Sequence, residues 1–227
     1  MILSWDIGIK NMAYCLMSND YDIKLWGIIN LYDDVPKLDC KCSALKKNNQ
    51  VCGKKANYVF KNDYFCKVHN KNGSELTFKC CHEGCKNKVL YYNDEKKLYC
   101  TKHSKNIIDP YKIDGKKNLN QLTKILYKEL DKIPEFSDAK IILIENQPVL
   151  KNPTMKSIQM ILYSYFMLRF VIDKKLNIEI KLMSAKNKLK VYDGPPITKY
   201  NKLKSKYSRD KKLSIDYCQY YLEKKKK

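Results

Sequence analysis

Four consecutive apolar residues, Ile141–Ile144, run straight into Glu145-Asn146-Gln147-Pro148, and this stretch constrains the chain more than any other. An unbroken apolar run between polar flanks predicts a strand buried on both faces. Such a strand has no structural reason to finish on a carboxylate and two amides, because burying a carboxylate is costly unless something binds it. Pro148 then blocks further pairing. Glu145 is therefore expected at the rim of a sheet, sharing its position with another functional group.

The N-terminus offers that group. Met1–Trp5 starts a strand that reaches Asp6-Ile7-Gly8-Ile9-Lys10-Asn11, so a second strand also ends on an acid. A turn residue is the lesser reading of Asp6 even on this segment alone. The repetition at Glu145 gives it functional weight, and Gly8 would let the backbone approach a phosphate or metal closely. Ala13–Met17 and Ile23–Leu31 read as two further strands joined through a turn at Ser18-Asn19-Asp20, which makes an antiparallel meander.

Between Leu38 and His103 the hydrophobic pattern fades and cysteine and histidine take over. Eight of the ten cysteines lie in this segment with all three histidines, a clustering better explained by metal in a reducing compartment than by disulfides. The segment repeats itself. Cys42, Cys52, Cys66 and His69 form one set, and Cys81, Cys85, Cys100 and His103 form the other. Tyr64-Phe65-Cys66 resembles Leu98-Tyr99-Cys100, and Cys52-Gly53-Lys54-Lys55-Ala56 resembles Cys85-Lys86-Asn87-Lys88-Val89. Each set matches a structural Cys₃His zinc site with no open position for catalysis. Cys40 and Cys80 are the alternatives to Cys42 and Cys81 as first ligands, and His82 is read as a surface histidine. Bound zinc would supply folding energy that so small a core cannot.

Ordinary patterning resumes beyond this segment. Asn118–Ile133 is helical with Leu119, Leu122, Ile125 or Leu126, and Leu130 on one face, and Pro134 closes it. The strand Ala139–Glu145 follows, and then a longer helix, Pro153–Ile172, whose apolar stripe is broad enough for a partner subunit to share. Ile178–Met183 is another strand, leading into the basic loop Ser184–Lys190 and a turn at Gly194-Pro195-Pro196. Ser208–Glu223 reads as a last helix capped by Ser208.

The fold class expected from this order is α/β: a ribonuclease H-like mixed sheet flanked by helices, with an inserted small two-zinc module. Residues 1–36 and 107–227 would form the sheet domain and residues 37–106 the insertion; 227 residues suffice for both. In such a sheet the first and fourth strands are neighbours, so Asp6 and Glu145 could share a metal. Close carboxylates repel unless a cation lies between them or one is protonated. Their oxygens suit Mg²⁺ or Mn²⁺, and two such ions about 4 Å apart would activate water and neutralise a leaving oxygen. Lys186 or Lys188 would neutralise charge on the transition state.

Charge indicates the substrate class. Lys and Arg number 45 against 24 acids, a formal +21, which calls for a polyanionic partner. From Lys181 onward there are 15 basic residues and four acids, spread over a strand end, a loop and a helix as a nucleic-acid-facing surface would be. Membrane lipid is the competing polyanion, but no stretch of 18 apolar residues exists to span a bilayer, so no membrane association is expected. Met1–Gly8 carries Asp6 and runs into patterned sequence, unlike a signal peptide. An intracellular site is expected, in host cytoplasm or at a viral replication site, with the virion as an alternative.

Asp6-x-Gly8-x-x-Asn11, Ile144-Glu145-Asn146-Gln147-Pro148, the Ser184–Lys190 loop and Arg209-Asp210-Lys211-Lys212, taken in this order, resemble the Holliday junction resolvases of poxviruses and other large DNA viruses. These belong with the bacterial resolvase RuvC. The resemblance covers Met1–Pro36 and Lys112–Lys227. It implies a Mg²⁺-dependent homodimer that cuts paired phosphodiesters across four-way DNA junctions. Asp6 matches the first-strand acid, Glu145 the middle acid, and Lys186 or Lys188 the region of an active-site lysine. Family members finish on clustered aspartates at a last helix, whereas this chain ends on Lys224–Lys227, with Asp210 and Asp216 as weak substitutes. The expectation is a chain cut short before that motif and impaired in cleavage, the alternative being a branched-DNA binder that does not cut.

Overall fold

The computed structural model describes every residue except 34, 35, 37–39, 77, 151, 203 and 225–227, and the side chain of Lys186. In chain order the strands β1 (Ile2–Asp6), β2 (Met12–Met17) and β3 (Ile23–Ile29) come first. They are followed by β4 (Tyr58–Phe60), β5 (Asp63–Phe65), β6 (Ser74–Glu75), β7 (Val89–Tyr92), β8 (Leu98–Cys100), the short helix α1 (Thr101–Ser104) and β9 (Tyr111–Lys112). Helix α2 (Leu119–Leu130), β10 (Ile141–Asn146), α3 (Pro153–Phe166), β11 (Glu179–Ser184) and α4 (Lys206–Lys224) complete the chain. Among the described residues, no helix is long and apolar enough to cross a membrane.

Two compact units emerge, one of Met1–Asn30 with Leu126–Lys227, the other of Leu31–Ile125. The second unit reaches further than the 37–106 insertion expected from cysteine spacing. Its extension is chemically tied down: β9 pairs with β7, the Lys117 ammonium bonds the Tyr92 hydroxyl at 3.3 Å, and the Gln121 amide reaches Asp109 at 3.1 Å.

The first unit is built on a five-stranded sheet in the order β11-β10-β1-β2-β3. β10 lies parallel to β1 and β11 parallel to β10, while β2 and β3 run antiparallel as the meander requires. This mixed sheet flanked by helices, with a small Cys/His insertion, is the ribonuclease H-like architecture expected. Leu3 and Trp5 of β1 and Ile142 and Ile144 of β10 are buried, whereas Ser4 and Asp6 alternate onto the other face. On the buried face Trp5 meets Phe136 at 5.2 Å and Phe166 at 5.8 Å between ring centroids, and Tyr14 meets Phe136 edge-on at 5.1 Å.

Helix α3 supplies Ile158, Leu162, Tyr165 and Phe166 to this core. Pro153 starts it, and the Asn152 side chain accepts the Met155 N–H at 3.2 Å, so entry follows ordinary capping chemistry. Its expected continuation to Ile172 is present but wound as a π-helix, Met167–Asp173, that delivers Phe170 against Phe166 at 5.5 Å. The Tyr165 hydroxyl donates to Asp131 at 2.7 Å, and burial together with that carboxylate raises its pKa far above that of an ordinary phenol. At α4 the N–H of Ser208 donates to Ser205 Oγ at 3.3 Å, so the cap lies three residues before the expected Ser208.

Phe136 is fully buried amid these rings. Phe136→Ala is expected to cost about 3–5 kcal/mol of stability in urea denaturation, chiefly as an unfilled cavity.

Candidate active site and metal centres

The parallel register of β1 and β10 places Trp5 opposite Ile144, and one residue further on both strands reach acids, Asp6 and Glu145. After β11 the chain turns through a 3₁₀ segment, Ala185–Leu189, which returns Lys188 to the same edge. The Lys188 ammonium lies 3.1 Å from Asp6 Oδ1 and 3.3 Å from Glu145 Oε1. Three side chains from distant parts of the sequence thus converge at the carboxyl ends of adjacent strands. Lys186 shares the 3₁₀ segment, but its side chain lies outside the described residues.

The two carboxyls differ in environment. Glu145 is 13% exposed and Asp6 is 59% exposed at the side chain. Burial, and then the neighbouring Asp6, push Glu145 up to about 7. Burial also acts to raise Asp6, but the hydrogen bond from Glu145, Lys188 and more distantly Lys211 of α4 outweigh it and leave Asp6 below the ordinary carboxylate value. Below neutral pH the pair therefore shares a proton and carries close to one negative charge. Desolvation opposes the charged form of Lys188, yet the two acids hold its pKa above that of an ordinary lysine.

A supporting layer fixes Glu145. Gln147 Nε2 donates to Glu145 Oε2 at 3.2 Å, while the backbone N–H of Gln147 donates to the wholly buried Gln159 side chain at 2.7 Å. Lys156 bridges Asn146 Oδ1 at 2.9 Å and Gln159 Oε1 at 3.2 Å. Sequence places Lys156 in the first turn of the helix beside the acid loop, but it does not single out Gln159. The available signal was a glutamine sitting between Ile158 and Leu162 on the buried stripe of α3. At Gly8 a Cβ would fall 2.5 Å from the Asn11 carbonyl oxygen, so glycine allows the loop after Asp6 to close on itself. Asp216 pairs with Lys199 at 2.8 Å. Beside Asp6 an open groove of about 630 Å³ runs over Ala13 and Cys15 to the exposed Trp26 and Ile28.

The second unit holds two Cys/His clusters, Cys42-Cys52-Cys66-His69 and Cys80-Cys85-Cys100-His103, each with its ligand atoms within 4.8 Å of one another. His69 Nδ1 is 3.5 Å from Cys42 Sγ and 3.4 Å from Cys66 Sγ. His103 Nδ1 is 3.3 Å from Cys80 Sγ and 3.5 Å from Cys100 Sγ, and the Cys85 and Cys100 sulfurs are 3.8 Å apart. A tetrahedral zinc, with Zn–S about 2.3 Å and Zn–N about 2.0 Å, spaces its ligands roughly 3.5–3.8 Å apart, so these donors fit it. The Cys66 thiol, which burial would raise, is brought to about 6 by the backbone N–H groups of His69 and Val68. The His103 N–H brings Cys100 to about 7. Both are thus biased toward the thiolate that zinc binds.

Cys80, and not Cys81, is the first member of the second cluster. The N–H of Cys81 donates to the Leu98 carbonyl at 2.8 Å and its exposed side chain meets the Tyr99 hydroxyl, which turns it away from the metal position. His82 lies against His103, ring centroids 3.9 Å apart with the planes tilted by 44°, and is outside the cluster. Replacing Cys80 with serine is expected to lower zinc content from two ions per chain to about one, and Cys81→Ser to leave it at two, as read by atomic absorption.

No family model matches the chain, and no solved structure does. A protein of Acanthamoeba polyphaga mimivirus described as "Uncharacterized protein L451" is 34% identical over 278 aligned residues, covering 97% of this chain and 67% of the viral protein. The chain belongs to the family of that mimivirus protein.

Proposed function

We propose that this chain carries the catalytic site of a Mg²⁺- or Mn²⁺-dependent endonuclease that nicks branched DNA, four-way junctions foremost, working as a homodimer. One observation carries the reading: Asp6 and Glu145 meet at the ends of adjacent parallel strands with the Lys188 ammonium against both. The resemblance of these strand ends to the viral junction resolvases and the family tie to a protein of a large DNA virus point the same way.

The residues divide the work by their chemistry. Asp6, already ionised, and Glu145, once it yields its proton, would hold the divalent ion between them. The bound ion would orient a water on the scissile phosphorus and neutralise the leaving oxygen. Freed from the acids, Lys188 donates to a phosphate oxygen and offsets the charge that builds there. Water forms a new P–O bond, the ester bond to the sugar oxygen breaks, and that oxygen takes up a proton, leaving a nick with one phosphate and one hydroxyl end. Gln147 and Gln159 keep Glu145 aimed at the site, and the groove from Asp6 to Trp26 offers room for the strand beside the nick.

A second reading, a branched-DNA binder that does not cut, is favoured by the engagement of Asp216 with Lys199, which removes one candidate third acid. Glu145→Gln separates the two. For the nuclease, cleavage of a labelled four-way junction in Mg²⁺ is expected to fall at least about 100-fold while junction affinity is retained. A wild-type chain that binds junctions and yields no Mg²⁺-dependent nick would establish the binder instead.

A further inference from the structure

The two zinc modules repeat one plan but have diverged in how they use their surfaces. The second is locked into its unit: Tyr92 stacks on Tyr111 at 4.9 Å, the Tyr111 hydroxyl donates to Asp94 at 2.8 Å, and Lys124 pairs with the same carboxylate at 3.3 Å. Lys97 pairs with Glu95 at 2.7 Å. From Phe78 to Ser104 six lysines face three acids. In the first module the buried cluster consists of its own ligands, Cys42, Cys52 and Cys66, with Ala44 packed against it. Most of its other side chains point outward.

Between Cys40 and Leu76 there are eight lysines and two acids, so at least six positive charges have no carboxylate of their own module to pair with. All eight are exposed. Lys41 and Lys55 are direct partners on an antiparallel bridge, with Lys54 beside them, and Lys46 and Lys47 sit in the adjoining turn. Like charges directly opposite across a bridge repel and destabilise the pair. The module retains this arrangement together with exposed rings, Phe60 at 42% and Tyr64 at 37%. The common solution to such repulsion is a polyanion spanning the lysines, and regular spacing of charge along a nucleic-acid backbone supplies one.

We infer that the first zinc module is a second, sequence-independent DNA-binding surface, in which Lys41, Lys46, Lys54 and Lys55 contact backbone phosphates. The second module serves as its anchor. The choice of DNA as the polyanion rests on the proposed function, but the inference does not depend on cleavage.

The test uses the full, zinc-loaded chain with all four lysines changed to glutamine, and a second variant with only Lys46→Gln and Lys54→Gln should the first fail to fold. Binding to a fluorescent four-way junction is measured without Mg²⁺ across a salt series, with zinc content checked. Affinity at about 0.15 M salt is expected to fall at least 10-fold for the fourfold variant, and the slope of log affinity against log salt to become shallower by about 0.9 for each phosphate no longer neutralised. The double variant is expected to show a smaller drop of the same kind. Unchanged affinity and slope at full zinc content would overturn the inference, as would a weakening confined to phosphatidylserine vesicles. If the wild type binds junctions with these lysines contributing and never nicks them, the module stands and the nuclease reading falls. If it nicks and the lysines contribute nothing, the reverse holds.

Discussion

Everything at the candidate active site follows from bringing two carboxyl groups together at the ends of neighbouring parallel strands. Two carboxylates about 4 Å apart repel by roughly 4 kcal/mol at an effective dielectric near 20. The protein meets that cost with a proton retained by the more buried Glu145 and with the ammonium of Lys188 against both oxygens. A divalent cation would answer the same electrostatic demand more completely. The sheet enforces the encounter: β1 and β10 cannot pair in their observed register without presenting Asp6 and Glu145 side by side.

The aromatic core beneath keeps that encounter rigid. Trp5, immediately before Asp6, packs against Phe136 and Phe166, which also meet each other, and Phe166 belongs to the same helix that carries Gln159. Packing and polar support therefore come from one element. The buried Gln159 accepts a hydrogen bond from the Gln147 N–H in the loop behind Glu145, so the acid is held from the α3 side while Lys188 approaches from the β11 side. Sites carried on regular elements hold their geometry better than sites on free loops.

Much of this was legible in the sequence for definite reasons. The Ile141–Ile144 run, ending on Glu145, reads as an interior strand, which β10 is. Burial on both faces is not met: Ile142 and Ile144 are buried while Ile141 and Leu143 are only half-buried. The meander before the insertion followed from short, closely linked strands. The duplicated Cys/His spacing disclosed both Cys/His clusters, with seven of their eight members among the residues named first and Cys40 standing open as the alternative to Cys42. The eighth escaped because Cys80 and Cys81 are adjacent, and which one faces inward is decided by the pairing of the Cys81 N–H with Leu98, a hydrogen bond between segments 17 residues apart. That Lys188 reaches the acid pair depends on the winding of a 3₁₀ turn, and the reach of the insertion unit on a lysine inserted between tyrosines. Local pattern specifies elements; it does not specify which of two neighbouring side chains points inward.

Soaking crystals of the chain in Mn²⁺ and collecting anomalous data at the manganese edge tests the central claim most directly. The account predicts a peak between positions 6 and 145, about 2.1–2.2 Å from an oxygen of each carboxylate, with the Lys188 ammonium no longer bridging them. Peaks confined to the two Cys/His clusters, with Lys188 still seated on both acids, would contradict it.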